Sequence, residues 1–196
     1  MSSYVETRGS SVVDVITARL RSLIGLQLSL ARRAADLRGF HFGEMRPARR
    51  GNRGAFVLHI QCPWRLEHTG RIYTGSSDLW EPSSNCPEIE DWTYEHGNLQ
   101  DERLAALLGD RDPETKSIMN TSGMLVVEAA SGTVAGGVCL ELSGGYRLAA
   151  FPDGSSGEMW RLLGHQVTEH LVVVGGEIEA ADEEVVAPDG ASCHRS

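Results

Sequence analysis

Gly54-Ala-Phe-Val-Leu-His-Ile-Gln-Cys-Pro-Trp-Arg-Leu66 is the stretch whose reading decides the fold. Leu58, Ile60 and Cys62 fall on one side of an extended chain, and Val57, His59 and Gln61 on the other. This gives a central strand from Ala55 to about Cys62. Pro63 has no N–H to give to a ladder, so it ends the strand or places a bulge there. After the Thr69-Gly70 turn, Arg71-Ile-Tyr-Thr74 reads as a short return strand.

Upstream, Leu37-Arg-Gly-Phe-His-Phe-Gly43 reads as a second strand, with Phe40 and Phe42 on one face and His41 on the other. Leu26-Gln-Leu-Ser-Leu30 alternates like a strand, and Arg32–Asp36 fits either state. A helix is expected from Ser10 or Ser11, with Val13, Ile16, Leu20 and Leu23 at helical spacing, Asp14 in its first turn and Gly25 at its end. Arg46-Pro-Ala-Arg49-Arg50-Gly-Asn-Arg53 reads as a polar loop that could touch phosphate.

Downstream, residues 75–97 form a long aromatic-bearing connection, a length that often marks function. Asn98 is placed to cap a helix over Leu99–Leu108, closed by Gly109, with Leu104, Leu107 and Leu108 buried. Met124–Ala129, Thr133–Leu142 and Tyr146–Phe151 read as strands, the last two joined at Gly144-Gly145. Gly132-Thr-Val-Ala-Gly-Gly137 lacks the context of a phosphate loop and reads as a bulged or turning strand. Gly157–Leu163 fits a helical turn or a strand, and His170–Val174 a final apolar strand. The expectation is α+β: an antiparallel, curved sheet with an N-terminal helix and a short middle helix. Residues 1–10 read as a loose arm, 11–175 as one domain, and 176–196 as an acidic, solvated tail.

Composition narrows the class. The 196 residues are 41% hydrophobic and 23% charged, which suits a folded domain. No apolar run is long enough for a transmembrane helix, and Met1–Arg8 has no apolar h-region, so no signal peptide and a cytoplasmic location are expected. Cys62, Cys86, Cys139 and Cys193 form no CxxC pair; free thiols are expected, and no zinc site. Residues 1–53 hold ten arginines against four acids (Glu6, Asp14, Asp36, Glu44), a balance of +6, and the remaining eight basic and 23 acidic residues give −15. So acidic a remainder would repel a nucleic-acid backbone, and no nucleic-acid partner is expected.

No GxSxG, HExxH or P-loop is present, which leaves enzyme activity undecided, and no cofactor is expected. His41 and His59 fall on neighbouring strands and could share a face, but two histidines do not make a metal site. His165 and His170, five apart, share no helix face. Trp64-Arg65 and Trp160-Arg161 repeat one dipeptide that suits stacking. Asp78 reads as a turn-former or a partner of Arg65.

Several short motifs carry a resemblance: Arg33-Ala-Ala-Asp36, Phe40-His-Phe-Gly43, Leu58-His-Ile-Gln-Cys-Pro-Trp-Arg65, Gly75-Ser-Ser-Asp-Leu-Trp80, Trp160-Arg161 and His170-Leu-Val-Val173. In these, residues 22–174 resemble a family of uncharacterised bacterial proteins found largely in actinobacteria. The resemblance implies no reaction or cofactor, but it groups the central strand, the GSSDLW loop and the late Trp-Arg as one constellation. Two function readings follow. One is a binding or accessory protein, immunity-type or regulatory, that acts on a protein partner. The other is a small-molecule or metal-dependent enzyme with a pocket at His59, Gln61, Arg65, Asp78, Trp160 and Arg161.

Overall fold

Ser11 caps helix α1 (Val12–Leu20) in a capping box with Asp14, and a 3-10 turn over Arg21–Leu23 continues the helix. The computed structural model describes residues 11–48, 51–86, 88, 90–112, 114–164 and 169–182. The strands are β1 (Leu28–Ala34), β2 (Leu37–Phe42), β3 (Arg46–Pro47), β4 (Asn52–Arg53), β5 (Phe56–Ile60), β6 (Trp64–His68) and β7 (Arg71–Gly75). Helix α2 (Leu99–Leu108) follows, then β8 (Arg111–Asp112), β9 (Ser117–Met119), β10 (Val127–Gly132), β11 (Val138–Leu142) and β12 (Tyr146–Ala150). Strands β13 (Glu158–Gly164), β14 (Glu169–Val174) and β15 (Glu177–Asp182) complete the order.

All named strand pairs are antiparallel, and the fold is α+β. One sheet has eight strands in the order β15-β14-β13-β5-β2-β1-β9-β8; the second has five, β10-β11-β12-β6-β7; β3 and β4 form a separate ribbon. Pro63 is where the chain leaves the first sheet for the second: Gln61 and Cys62 both donate their N–H to the Met159 carbonyl, and Phe151 donates to that of Pro63. Trp64 therefore begins a new strand, β6. The two inner faces meet in one core, where Phe40 packs edge-on against Trp64 with ring centroids 5.1 Å apart.

Arg32–Asp36 is resolved as the rest of β1 and its turn. The Gly157–Leu163 segment is strand from Glu158 on, in a central position between β5 and β14. Thr133–Gly137 is the turn between β10 and β11. Glu177–Asp182, expected at the start of a tail, pairs with β14 along its whole length. Its pattern accounts for the difference: Ile178 packs on the core while Glu177 and Glu179 are exposed, which suits a charged edge strand. The expected arm at 1–10 and the stretch 183–196 lie outside the described residues, as does His165. No helix among the described residues is long and apolar enough to cross a membrane.

Helix α1 lies on β10, with Ile16, Leu20 and Leu23 buried. Gly132 is the point of closest approach: its N–H donates to Thr17 Oγ1 at 2.9 Å, and a Cβ there would lie 2.5 Å from Ile16 Cγ2 and 2.8 Å from Ile16 Cβ. Gly132→Ala should cost about 1–3 kcal/mol by pushing the helix off the strand, the usual scale of core overpacking. Urea unfolding checks this, and a loss within about 0.5 kcal/mol would show that α1 moves freely.

Candidate ligand cavity under the ribbon

Strands β5 and β13 pair with Arg161 opposite His59, and β2 and β5 with Gly39 opposite His59 and His41 opposite Val57. His41 and His59 therefore stand diagonally on one face, the side turned away from the core. Gly39 makes room for the His59 ring, since a Cβ at that position would lie 3.2 Å from His59 Cδ2. The β3–β4 ribbon folds back over this face. Gly54 allows the return: a Cβ there would lie 2.8 Å from the Phe42 carbonyl oxygen, so only glycine brings the chain this close.

Between ribbon and sheet is a cavity of about 200 Å³. Its polar lining comes from Arg32, His41 and His59 of the sheet and Asn52 and Arg53 of the ribbon, with Val57 and Leu163 as apolar floor. His41 Nδ1 accepts from the Gly54 N–H at 3.2 Å, so the neutral ring carries its proton on Nε2. Arg32 Nε donates to Ser117 Oγ at 2.9 Å. The Nε and Nη2 atoms of Arg53 are buried and have no hydrogen-bond partner among the described residues.

Burial, with Arg32, His59 and Arg53 nearby, pulls His41 down to about 3. Burial, with Arg161, Arg53 and His170, pulls His59 down to about 4 against the opposing charge of Glu158. Both imidazoles are neutral at pH 7 and weak as bases. No cysteine, carboxylate or free hydroxyl is among the described lining residues, so the arrangement suits binding better than covalent chemistry.

Three of the six residues expected at a pocket meet at this end of the sheet. His59 lines the cavity; Arg161 beside it is held by Glu158 through both Nε and Nη2, and Gln61 also hydrogen-bonds Glu158. The other three are elsewhere. Trp160, one residue along β13, faces the core, fully buried, with its indole N–H donating to the Gly136 carbonyl at 2.7 Å. Arg65 is on the second sheet, paired with Glu67 and lying over the Phe151 ring. Asp78 accepts from Thr74 Oγ1 at 2.8 Å and pairs with Arg103 at 3.0 Å, not with Arg65. The resemblance grouped the central strand, the GSSDLW loop and Trp160-Arg161; the first and last are neighbours, while the loop turns towards α2.

Compared with protein-family models, curated proteins and solved structures, the chain matches none.

A second polar cluster went unread in the sequence. Arg33 and Arg38 point into the interior at the β1–β2 hairpin end, where the first turn of α2 meets them. Asp101, 2% exposed, accepts from Arg38 Nη2 at 2.7 Å, Arg33 Nε at 3.4 Å, Arg111 Nη2 at 3.2 Å and Asn98 Nδ2 at 3.1 Å. Gln100 takes both Nε and Nη2 of Arg38 and donates to the Gly75 carbonyl. Burial works to raise the Asp101 carboxyl, but Arg38, with Arg33 and Asn98, outweighs it and holds the group below the ordinary carboxylate range. The cluster ties α2 to the large sheet. One signal for it was in the sequence: Arg38 shares the parity of Phe40 and Phe42, so a core-facing strand side carried a charge. Among the described residues no three His, Cys, Asp or Glu side chains converge as metal ligands would.

Proposed function

We propose that this chain is a small-molecule-binding protein whose ligand sits in the cavity between the β3–β4 ribbon and the outer face of the large sheet. The observation that carries the reading is the buried Nε and Nη2 edge of Arg53. Buried donors are costly unless something accepts from them, and a fold bears that cost where a ligand is the acceptor. His41, His59 and Asn52 add further polar groups around one small space, over an apolar floor. At about 200 Å³ the space equals roughly seven waters of liquid volume, enough for a small molecule or one end of a larger one.

Native mass spectrometry of protein purified gently from its own host tests this. The expected result is a stoichiometric adduct that leaves on denaturation. A clean apo mass would count against the cavity and favour the other reading, a protein partner. That alternative is supported by Trp80 and Ile72, 58% and 64% exposed at one end of the five-stranded sheet, with Trp80 edge-on to Tyr94. For it, cross-linking in host cells should trap a partner through a photoreactive residue at Ile72, and no cross-link there would dispose of it.

A further inference from the structure

We propose that the group this cavity takes is a single carboxylate, the head of a short aliphatic monocarboxylic acid, seated on the Nε–Nη2 edge of Arg53; this rests on reading the cavity as the ligand site. That edge of a guanidinium points two parallel N–H bonds in one plane, a match for the two oxygens of a carboxylate. The protein uses the same edge on its own acids: Arg161 turns it on both oxygens of Glu158, and Arg46 on one oxygen of Glu44. On Arg53 both atoms are buried, with no acceptor among the described residues.

Charge sets the valence of the ligand. Arg161 has Glu158 as its counter-charge, and Arg46, opposite Arg53 on the ribbon, has Glu44. Arg32 donates its Nε–H to Ser117 Oγ, and Asp112 faces it across β9, because Ser117 pairs with Arg32 on one side and with Asp112 on the other. The Asp112 carboxyl, held below its ordinary range chiefly by Thr115, also feels the Arg32 charge. Of these four arginines, Arg53 alone has no counter-charge among the described residues. One positive charge is balanced by a monoanion. A phosphomonoester carries about −1.5 to −2 at pH 7 and would leave negative charge uncompensated over an apolar floor.

The floor sets the rest of the molecule. Val57, Leu163 and Ala48 are the apolar part of the lining, and about 200 Å³ leaves room for a tail beyond the carboxylate. A carboxylate accepts more than the two bonds that Arg53 gives it. His41 presents Nε2–H, because its Nδ1 is held by Gly54, and Asn52 offers an amide.

The test is titration of the full-length protein with acetate, propionate, butyrate, butyramide and inorganic phosphate at matched ionic strength, followed by the imidazole NMR signals of His41 and His59 and by calorimetry. The carboxylates should shift both signals saturably, with affinity rising about threefold per added methylene, the factor for burying one CH₂. Butyramide, of the same shape without the charge, and phosphate should each be at least about tenfold weaker than butyrate. Arg53→Met should weaken butyrate at least about tenfold, as expected for a lost charge-assisted pair. It should also raise the Tm of the ligand-free protein by a few degrees, since a buried unpartnered cation has gone. Arg53→Lys keeps the charge without the fork and should fall between.

If phosphate or butyramide shifts the two histidines as strongly as butyrate does, the carboxylate assignment is overturned and the cavity reading stands. Butyrate binding left unchanged in Arg53→Met or Arg53→Lys overturns the assignment as well. If no probe moves either signal, both the assignment and the cavity reading fail.

Discussion

Asp101→Asn lowers the unfolding free energy by about 3–5 kcal/mol, the scale seen when one partner of a buried ion pair is removed. Two guanidiniums depend on that carboxylate: Arg38, fully buried, and Arg33, whose side chain is 1% exposed. Asparagine keeps the shape and one acceptor oxygen but leaves both cations without their buried counter-charge. Glu95 still pairs with Arg33, but from a half-open position. Domains of this size are stable by about 5–15 kcal/mol, so the variant would be near the edge of folding. Arg111 is the control. It reaches the same carboxylate from a side chain 36% exposed, so Arg111→Ala should cost under about 1 kcal/mol. Urea unfolding of both variants measures the contrast. Equal, small losses would mean that the hydrophobic face of α2, not this network, holds the helix in place.

Acidification should destabilise the protein well above the range where carboxylates titrate. His41 falls from an ordinary 6.5 to about 3 in the fold, and His59 to about 4. The unfolded chain therefore binds more protons between about pH 6.5 and the folded values. Stability is fully present above 6.5 and is lost as pH falls through that window. For His41 alone the loss between pH 7 and 4.5 is about 2.5 kcal/mol, with a smaller share from the partly exposed His59. The groups facing His41 are Arg32, Arg53 and His59; those facing His59 are Arg161, Arg53, His170 and, in opposition, Glu158. Asp101 acts at lower pH, because its carboxyl is held below 3.8. Urea midpoints in carboxylate-free buffer at the two pH values read the loss. His41→Asn, which offers an acceptor oxygen to the Gly54 N–H, should remove most of the His41 share. A His41 imidazole that titrates near 6.5 by NMR would contradict the burial that this rests on.

The same residues show what could be read from the sequence. Helix α2 was legible with both ends, because Asn98, the leucines at helical spacing and Gly109, which takes φ +127°, are local signals. The two faces of β5 and the Ser11–Asp14 start of α1 were legible for the same reason. Leu58 and Ile60 do go inward and His59 outward.

The site was legible only in part. His59, Gln61 and Arg161 were named and do meet; Asn52 and Arg53 were read only as part of a polar loop that could touch phosphate, Arg32 was not singled out, and Trp160, Arg65 and Asp78 are placed elsewhere. Period-two alternation states which residues share a side of a strand; it does not state which side another element covers. Trp160 and Arg161 differ by one position and so are separated by the whole sheet. Arg33 and Arg38 became interior charges because α2, far along the chain, brings Asp101 to them. Arg53 became a buried donor because its ribbon folds back across strands that precede and follow it. The sequence by itself determined the antiparallel α+β class, both helices and the division of the central strand into two faces, all set by contacts a few residues apart. The tertiary structure alone decided the Pro63 crossing between sheets, the buried arginine cluster and the covered cavity, because each depends on which distant segment supplies the counter-charge or the roof.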